Sequence, residues 1–198
     1  MTQRTSVPEA VEQALRELLM DPSAAVREAA SAALDRVRAR RDAEVYLERL
    51  RSASLEERVR TVHAAREIGG QEGVSILLAA LADPEGEVRG AAVRALEDFL
   101  SPAVLKALAA RLPHESGVVL GNLIEALGKS RRRELGPVIE RYLGHADPEV
   151  RGKALVAYAR VADGPWWEKI LPGVRDRAEA VRAQAAAALG EWSAPPKG

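Results

Sequence analysis

A valine returns on a 31-residue grid through this chain, at Val26, Val88, Val119, Val150 and Val181, with two periods separating the first two. Its surroundings repeat as well. Val26-Arg27 is followed by Ala29, Ala30, Ala33 and Leu34; Val88-Arg89 by Ala91, Ala92, Ala95 and Leu96; Val181-Arg182 by Ala185, Ala188 and Leu189. Self-similarity at a fixed period of about 20–50 residues marks stacked supersecondary units, none of which can bury its apolar face without neighbours. Such an array offers a long surface in place of a central pocket, so the period constrains function as well as fold.

Each period resolves into two amphipathic helices, because apolar residues recur at three- and four-residue steps without the alternation of a strand. The spacing predicts helix pairs at 8–20 and 23–40, 42–52 and 54–68, 71–82 and 84–100, 102–112 and 115–129, 136–145 and 147–162, and 165–172 and 176–191. Pro8 suits a first helical turn. Asp21-Pro22, Asp83-Pro84 and Asp147-Pro148 supply punctuation, aspartate as N-cap and proline at the first helical position. Gly69-Gly70, Gly128, Gly144, Gly164 and Gly173 fall at or near predicted helix ends, where glycine can take the left-handed cap conformation. The second repeat departs from the grid: Glu57 holds the valine position and Val59-Arg60 comes two residues late, which implies a rotated second helix or a bulged turn. The fourth keeps Val119 but has Leu120 for the arginine and His114-Glu115 for Asp-Pro. One domain is expected over residues 1–192, with 193–198 as a flexible tail containing Pro195-Pro196.

Paired short helices with Asp-Pro, Val-Arg, alanines and Leu-Gly resemble HEAT-like repeats, most closely the short class also found in phycobilin lyases and bacterial scaffold proteins. The resemblance covers six units; units 1, 3, 5 and 6 match well and units 2 and 4 in part. It implies an all-α, right-handed α-solenoid of about six helical hairpins, with first helices outside and second helices lining the concave side. It does not imply one activity, because the fold serves many unrelated ones.

Charge and composition narrow the classes. The chain has 29 basic and 29 acidic residues, so no global field draws it to phosphate or anionic lipid. Aromatics are only 4%, which leaves Ala, Leu, Val and Ile to build the core, and the absence of cysteine excludes disulfides and thiolate chemistry. Neither a secretory signal nor an apolar run long enough to span a membrane occurs, so a cytoplasmic location is expected.

A helical wheel locates the candidate site. Counting from the grid valine, positions +4, +7, +8 and +11 cluster with it, and +2, +5, +6 and +9 lie opposite. From the third repeat onward that far face reads Gly90, Val93 and Arg94; Gly121, Ile124 and Glu125; Gly152, Leu155 and Val156. A glycine inside a helix costs roughly 1 kcal/mol relative to alanine, yet three successive repeats carry one at the same position. Two readings stand: a shallow apolar channel that admits a partner segment, or small residues that relieve crowding between repeats. The arginines after the valine (Arg27, Arg60, Arg89, Arg151, Arg182) form a second series, read either as a basic stripe or as a ladder bonding turns, with Asp21, Asp83 and Asp147 as partners.

Catalytic constellations are sparse. His63, His114 and His145 lack metal-ligand spacing, and the single His114-Glu115 pair, although it resembles those of HEAT-repeat di-iron hydroxylases, falls short of the several such a site needs. No phosphate loop, nucleophile elbow or dinucleotide fingerprint occurs. Trp166, Trp167 and Trp192 fall in the last repeat, as an aromatic anchor or as a cap in which Trp167 and Trp192 seal the core and Trp166 stays partly exposed. HEAT-like DNA glycosylases combine concave tryptophans with a basic channel; here the one dense basic run, Lys129–Arg133, sits in a turn. The expectation is a non-catalytic, cytoplasmic, monomeric scaffold that binds a protein or peptide on its concave face, without cofactor, metal or membrane. A nucleic-acid-binding solenoid and a bilin lyase-like enzyme or subunit are the alternatives.

Overall fold

The computed structural model describes residues 9–52 and 54–190, and the expectations for Pro8, Trp192 and the 193–198 tail lie outside them. Among the described residues the chain is all helix and turn. Its internal contacts divide it into two compact units, Met1–Ala79 and Ala80–Gly198.

The first unit contains α1 (Glu9–Leu18), α2 (Ala24–Ser52), α3 (Leu55–Ile68) and nearly all of α4 (Gly70–Ala80). The break expected between 40 and 42 is absent: α2 runs for 29 residues. Its sequence explains this, because no glycine or proline occurs from Ala24 to Ser52 and nothing stops propagation. The irregular second repeat also has a local cause. Ser54 and Glu57 form a capping box, Ser54 Oγ accepting from the Glu57 amide while the Glu57 carboxylate accepts from the Ser54 amide. Glu57 therefore serves the helix start at the grid position, and the buried face resumes at Thr61, Val62 and Ala65. Between α3 and α4, Gly69 and Gly70 both adopt positive φ, 61° and 57°.

The second unit contains α5 (Gly86–Leu96), α6 (Pro102–Arg111), α7 (Gly117–Lys129), α8 (Gly136–Glu140), α9 (Pro148–Val161), α10 (Trp167–Ile170) and α11 (Glu179–Gly190). The second helices of successive repeats pack directly on one another, α5 on α7, α7 on α9 and α9 on α11. Leu96, Leu108, Leu123, Ile139, Val150, Ile170 and Val181 fill the core they share with the first helices. The first helices α8 and α10 are short. Each is flanked by a 3₁₀ segment, and Pro172 follows α10 almost at once.

The arginine series forms a ladder of turn and inter-repeat bonds. Arg89 Nη1 donates to the carbonyls of Asp83 and Pro84, both at 2.8 Å, and its other edge grips Glu115 of the next repeat at 2.8 and 2.9 Å. Arg151 does the same, with the carbonyls of His145 and Ala146 on one edge and Asp176 on the other at 2.8 and 2.9 Å. Arg27 and Arg182 bond their own turns likewise, whereas Arg60 pairs with Glu56 on its own helix. The ladder thus uses the backbone carbonyls of Asp21 and Asp83, and the inter-repeat acids are Glu115 and Asp176.

That geometry corrects two of the predicted caps. Asp21 and Asp83 stand ahead of their helices, accepting from the amides of Ser23 and Glu85, while Asp147 alone keeps the expected arrangement, capping α9 with Pro148 in the first turn. Where Asp176 meets Arg151, the guanidinium bond and the Ala178 amide hold its carboxyl down at about 2.

Candidate functional site

The far face of the second helices is not the open apolar channel that one reading of the sequence expects. Gly90, Gly121 and Gly152 are buried, and so are Val93 (1% exposed), Ile124 (0%) and Leu155 (2%). The physical reason is the neighbouring repeat. Position +2 receives a side chain from position +3 of the next second helix, and at position +5 Leu155 lies against Gly173 in the segment that leads into α11. A Cβ on Gly121 would lie 2.9 Å from Lys153 Cδ, and one on Gly152 would lie 3.2 Å from Gln184 Cγ. At Gly90 a Cβ would make only ordinary contacts, with Arg94 Nη1 at 3.6 Å, Val119 Cγ2 at 3.7 Å and Asn122 Nδ2 at 3.8 Å. Gly121 and Gly152 thus make room for side chains that cross from the next repeat.

Arg94, Glu125 and Val156, all at position +6, remain at the surface, Arg94 fully and the other two in part. Around them runs a chain of alternating charges. Lys129 contacts Glu97 at 2.7 Å and Glu125 at 3.0 Å; Lys153 contacts Glu125 at 3.6 Å and Glu149 at 3.7 Å, and donates to Asn122 Oδ1 at 3.2 Å. Burial pushes the Lys129 ammonium down, but its two carboxylate bonds outweigh that and hold it above its ordinary value. For Glu125 burial pushes up, and Lys129 and Lys153 together hold it below the usual carboxylate range. The ridge is therefore ion-paired and close to neutral. Sequence reading missed this network because each pair joins residues about 28–32 apart, or one helical turn apart, and only the stacking distance brings the former together.

No other described region assembles reactive groups. No three His, Asp or Glu residues come together as metal ligands among the described residues. His114 is exposed, and His145 Nδ1 accepts from the Asp147 amide, the bond an aspartate makes at that turn in other repeats. Trp167 is 37% exposed and Trp166 is the more covered of the two, the reverse of the capping arrangement expected. The Lys129–Arg133 run closes α7, with Arg131 at φ 53°. A cleft of about 410 Å³ in the first unit is lined by Tyr46, Arg49, Ile68, Glu72 and Ile76, without a nucleophile paired to a base. No described helix is long and apolar enough to cross a membrane.

Stacked helical hairpins with a conserved internal register define an α-solenoid repeat protein. A sequence profile for HEAT repeats matches residues 43–120. An engineered protein of known structure aligns with a TM-score of 0.52 at 20% identity, over 91% of this chain and 95% of its own. A designed armadillo repeat protein aligns with a TM-score of 0.52 at 19% identity, over 91% of this chain and 98% of its own. No curated protein matches in sequence. Residues 43–120 are thus similar to HEAT repeats, and the chain as a whole has an all-α solenoid fold.

The glycine geometry yields a direct prediction. Gly152→Ala adds a Cβ against the flexible Gln184 stem, which can shift by a few tenths of an ångström, and it removes a helix penalty of about 1 kcal/mol. Its melting temperature should equal or slightly exceed that of the wild type in a thermal scan.

Proposed function

We propose that this protein is a non-catalytic cytoplasmic scaffold that binds a protein segment along the ridge of its second helices, the side expected to be concave. Arg94, Glu125 and Val156 form the contact row. Gly90, Val93, Gly121, Ile124, Gly152 and Leu155 lie beneath it and set the spacing of the helices that carry it. The observation that supports this is the row itself: three surface side chains at one position of three stacked helices, presented as cationic, anionic and apolar in turn. Adjacent packed helices stand about 8–10 Å apart, so a segment crossing them meets a different chemistry at each step.

The ion-paired ridge argues against a nucleic-acid partner. Lys129 and Lys153 already hold carboxylates, and binding phosphate would mean displacing them.

The test is affinity capture from native extract with wild type and with Arg94→Glu/Val156→Glu. Surface changes of this kind move stability by only about 0.5 kcal/mol, so the melting temperature should hold. A protein captured by wild type and lost from the double variant is the expected result. Unchanged capture would move the site elsewhere, and salt-sensitive binding of duplex DNA would favour the nucleic-acid alternative.

A further inference from the structure

Among the described residues the ladder lacks inter-repeat rungs at several positions, including those after Arg27, Arg60 and Leu120, and at its two outermost positions the missing halves match. Inside the second unit, Arg151 bonds its own turn with Nη1 and uses Nε and Nη2 to hold Asp176 of the following repeat. Arg182 is set by the same two carbonyl bonds, to Asp176 and Arg177, and is exposed. Among the described residues no carboxylate meets its other edge.

Asp21 is the counterpart. It stands six residues before Arg27, as Asp176 stands six before Arg182. Its Oδ1 accepts the amide two residues on at 2.8 Å, and its carbonyl accepts from the arginine at 2.7 Å; Asp176 makes the same two bonds at 2.8 and 3.0 Å. Asp176 has, in addition, the arginine of the repeat before it. No such arginine meets Asp21 among the described residues.

The surfaces beside these residues match in the same way. Position +2 of α9, Gly152, lies under Gln184 and beside Val181 of α11. On α11 positions +2 and +5, Ala183 and Ala186, are exposed. The surface that would lie against them belongs to α2, where Val26 is half-buried and Ala29 is exposed. All are small enough for helices to approach closely.

We propose that the chain associates head to tail with a second copy of itself: the α11 face of one copy takes the α1–α2 hairpin of the next, and Arg182 grips the partner copy's Asp21 as Arg151 grips Asp176. The contact is heterologous, so it extends into a filament unless the rotation per copy closes a ring. One helix pair with one bidentate ion pair falls below the roughly 1,200 Å² of a standard interface. The association is accordingly weak and dependent on concentration and salt, against the monomer expected from sequence.

The test is sedimentation of the full chain from low to high micromolar concentration, with Arg182→Glu, Asp21→Arg and their equimolar mixture. Wild type should gain mass with concentration. Each single variant should stay monomeric where wild type associates, at least tenfold weaker, and the mixture should recover association, because every interface in it is then Arg against Asp or Glu against Arg. Asp21→Asn keeps the turn acceptor and removes only the charge. It should also weaken association, which covers the case in which a charge reversal fails to fold. A wild type that stays monomeric throughout overturns the proposal. So does association that survives the single variants, or a mixture of folded variants that regains nothing.

Discussion

Glu115→Gln is expected to lower stability by about 3 kcal/mol, within the range for breaking one partner of a buried ion pair. The Glu115 side chain is 2% exposed and holds two guanidinium groups, Arg89 from the preceding repeat at 2.8 and 2.9 Å and Arg111 from the helix before it. Neutralising it leaves both cations partly buried without their counter-charge. Burial alone would push the Glu115 carboxyl up, but the bonds from Arg89 and Arg111 outweigh it and hold the group below its ordinary value. The folded state therefore binds its proton later than the unfolded chain does. The stabilisation is complete above the unfolded value of about 4.3 and is lost as pH falls below it through the folded one. Urea melts at neutral pH should separate wild type from Glu115→Gln by the full amount, and melts in acid should bring them together. A constant gap across pH would show that packing, not charge, carries the effect.

Gly128→Ala should be the damaging counterpart of the tolerated Gly152→Ala. A Cβ at Gly128 would lie 2.6 Å from Ala157 Cβ and 2.7 Å from Ala157 Cα, so it meets backbone that cannot swing aside. Overpacking costs typically 1–3 kcal/mol and occasionally more. The helix gain in this last turn is smaller than the roughly 1 kcal/mol of an interior position, so a net loss of about 2 kcal/mol and a fall of roughly 4–8 °C in melting temperature are expected. Both substitutions are glycine to alanine within a second helix, Gly152 in the first half of α9 and Gly128 in the last turn of α7. Their opposite outcomes, read in one calorimetric series, would separate helix propensity from inter-repeat contact.

The repeat and its helices were legible because the signal is local: valine, arginine and alanine recur at fixed steps, and turn residues mark most ends. What the wheel of a single helix could not supply was the neighbour. It identified the face opposite the hairpin core at Val93, Ile124 and Leu155 and left open whether that face was exposed; burial came from the neighbouring repeat. The ladder partners were within reach of the sequence. An acid lies 25 or 26 residues after Arg89 and after Arg151, whereas the corresponding positions are His145 and Ala146 after Leu120 and Ser52 and Ala53 after Arg27, so the sequence marks which rungs can be closed. The fused α2 was also legible in principle, since its stretch contains neither of the residues that end helices.

That fused helix places a constraint on how the first unit can change. Its early turns pack with α1 and its later ones with α3, along a single rod of 29 residues. A loop between hairpins absorbs an inserted residue; a continuous helix transmits it, turning everything downstream by about 100° and advancing it about 1.5 Å. Length variation here is therefore quantised. Losing or gaining one residue between Leu34 and Tyr46 would swing one packing face out of phase with the other, and only changes near whole turns would keep both. The loops of the second unit can drift in length, whereas this joint holds its two hairpins in a fixed reading frame.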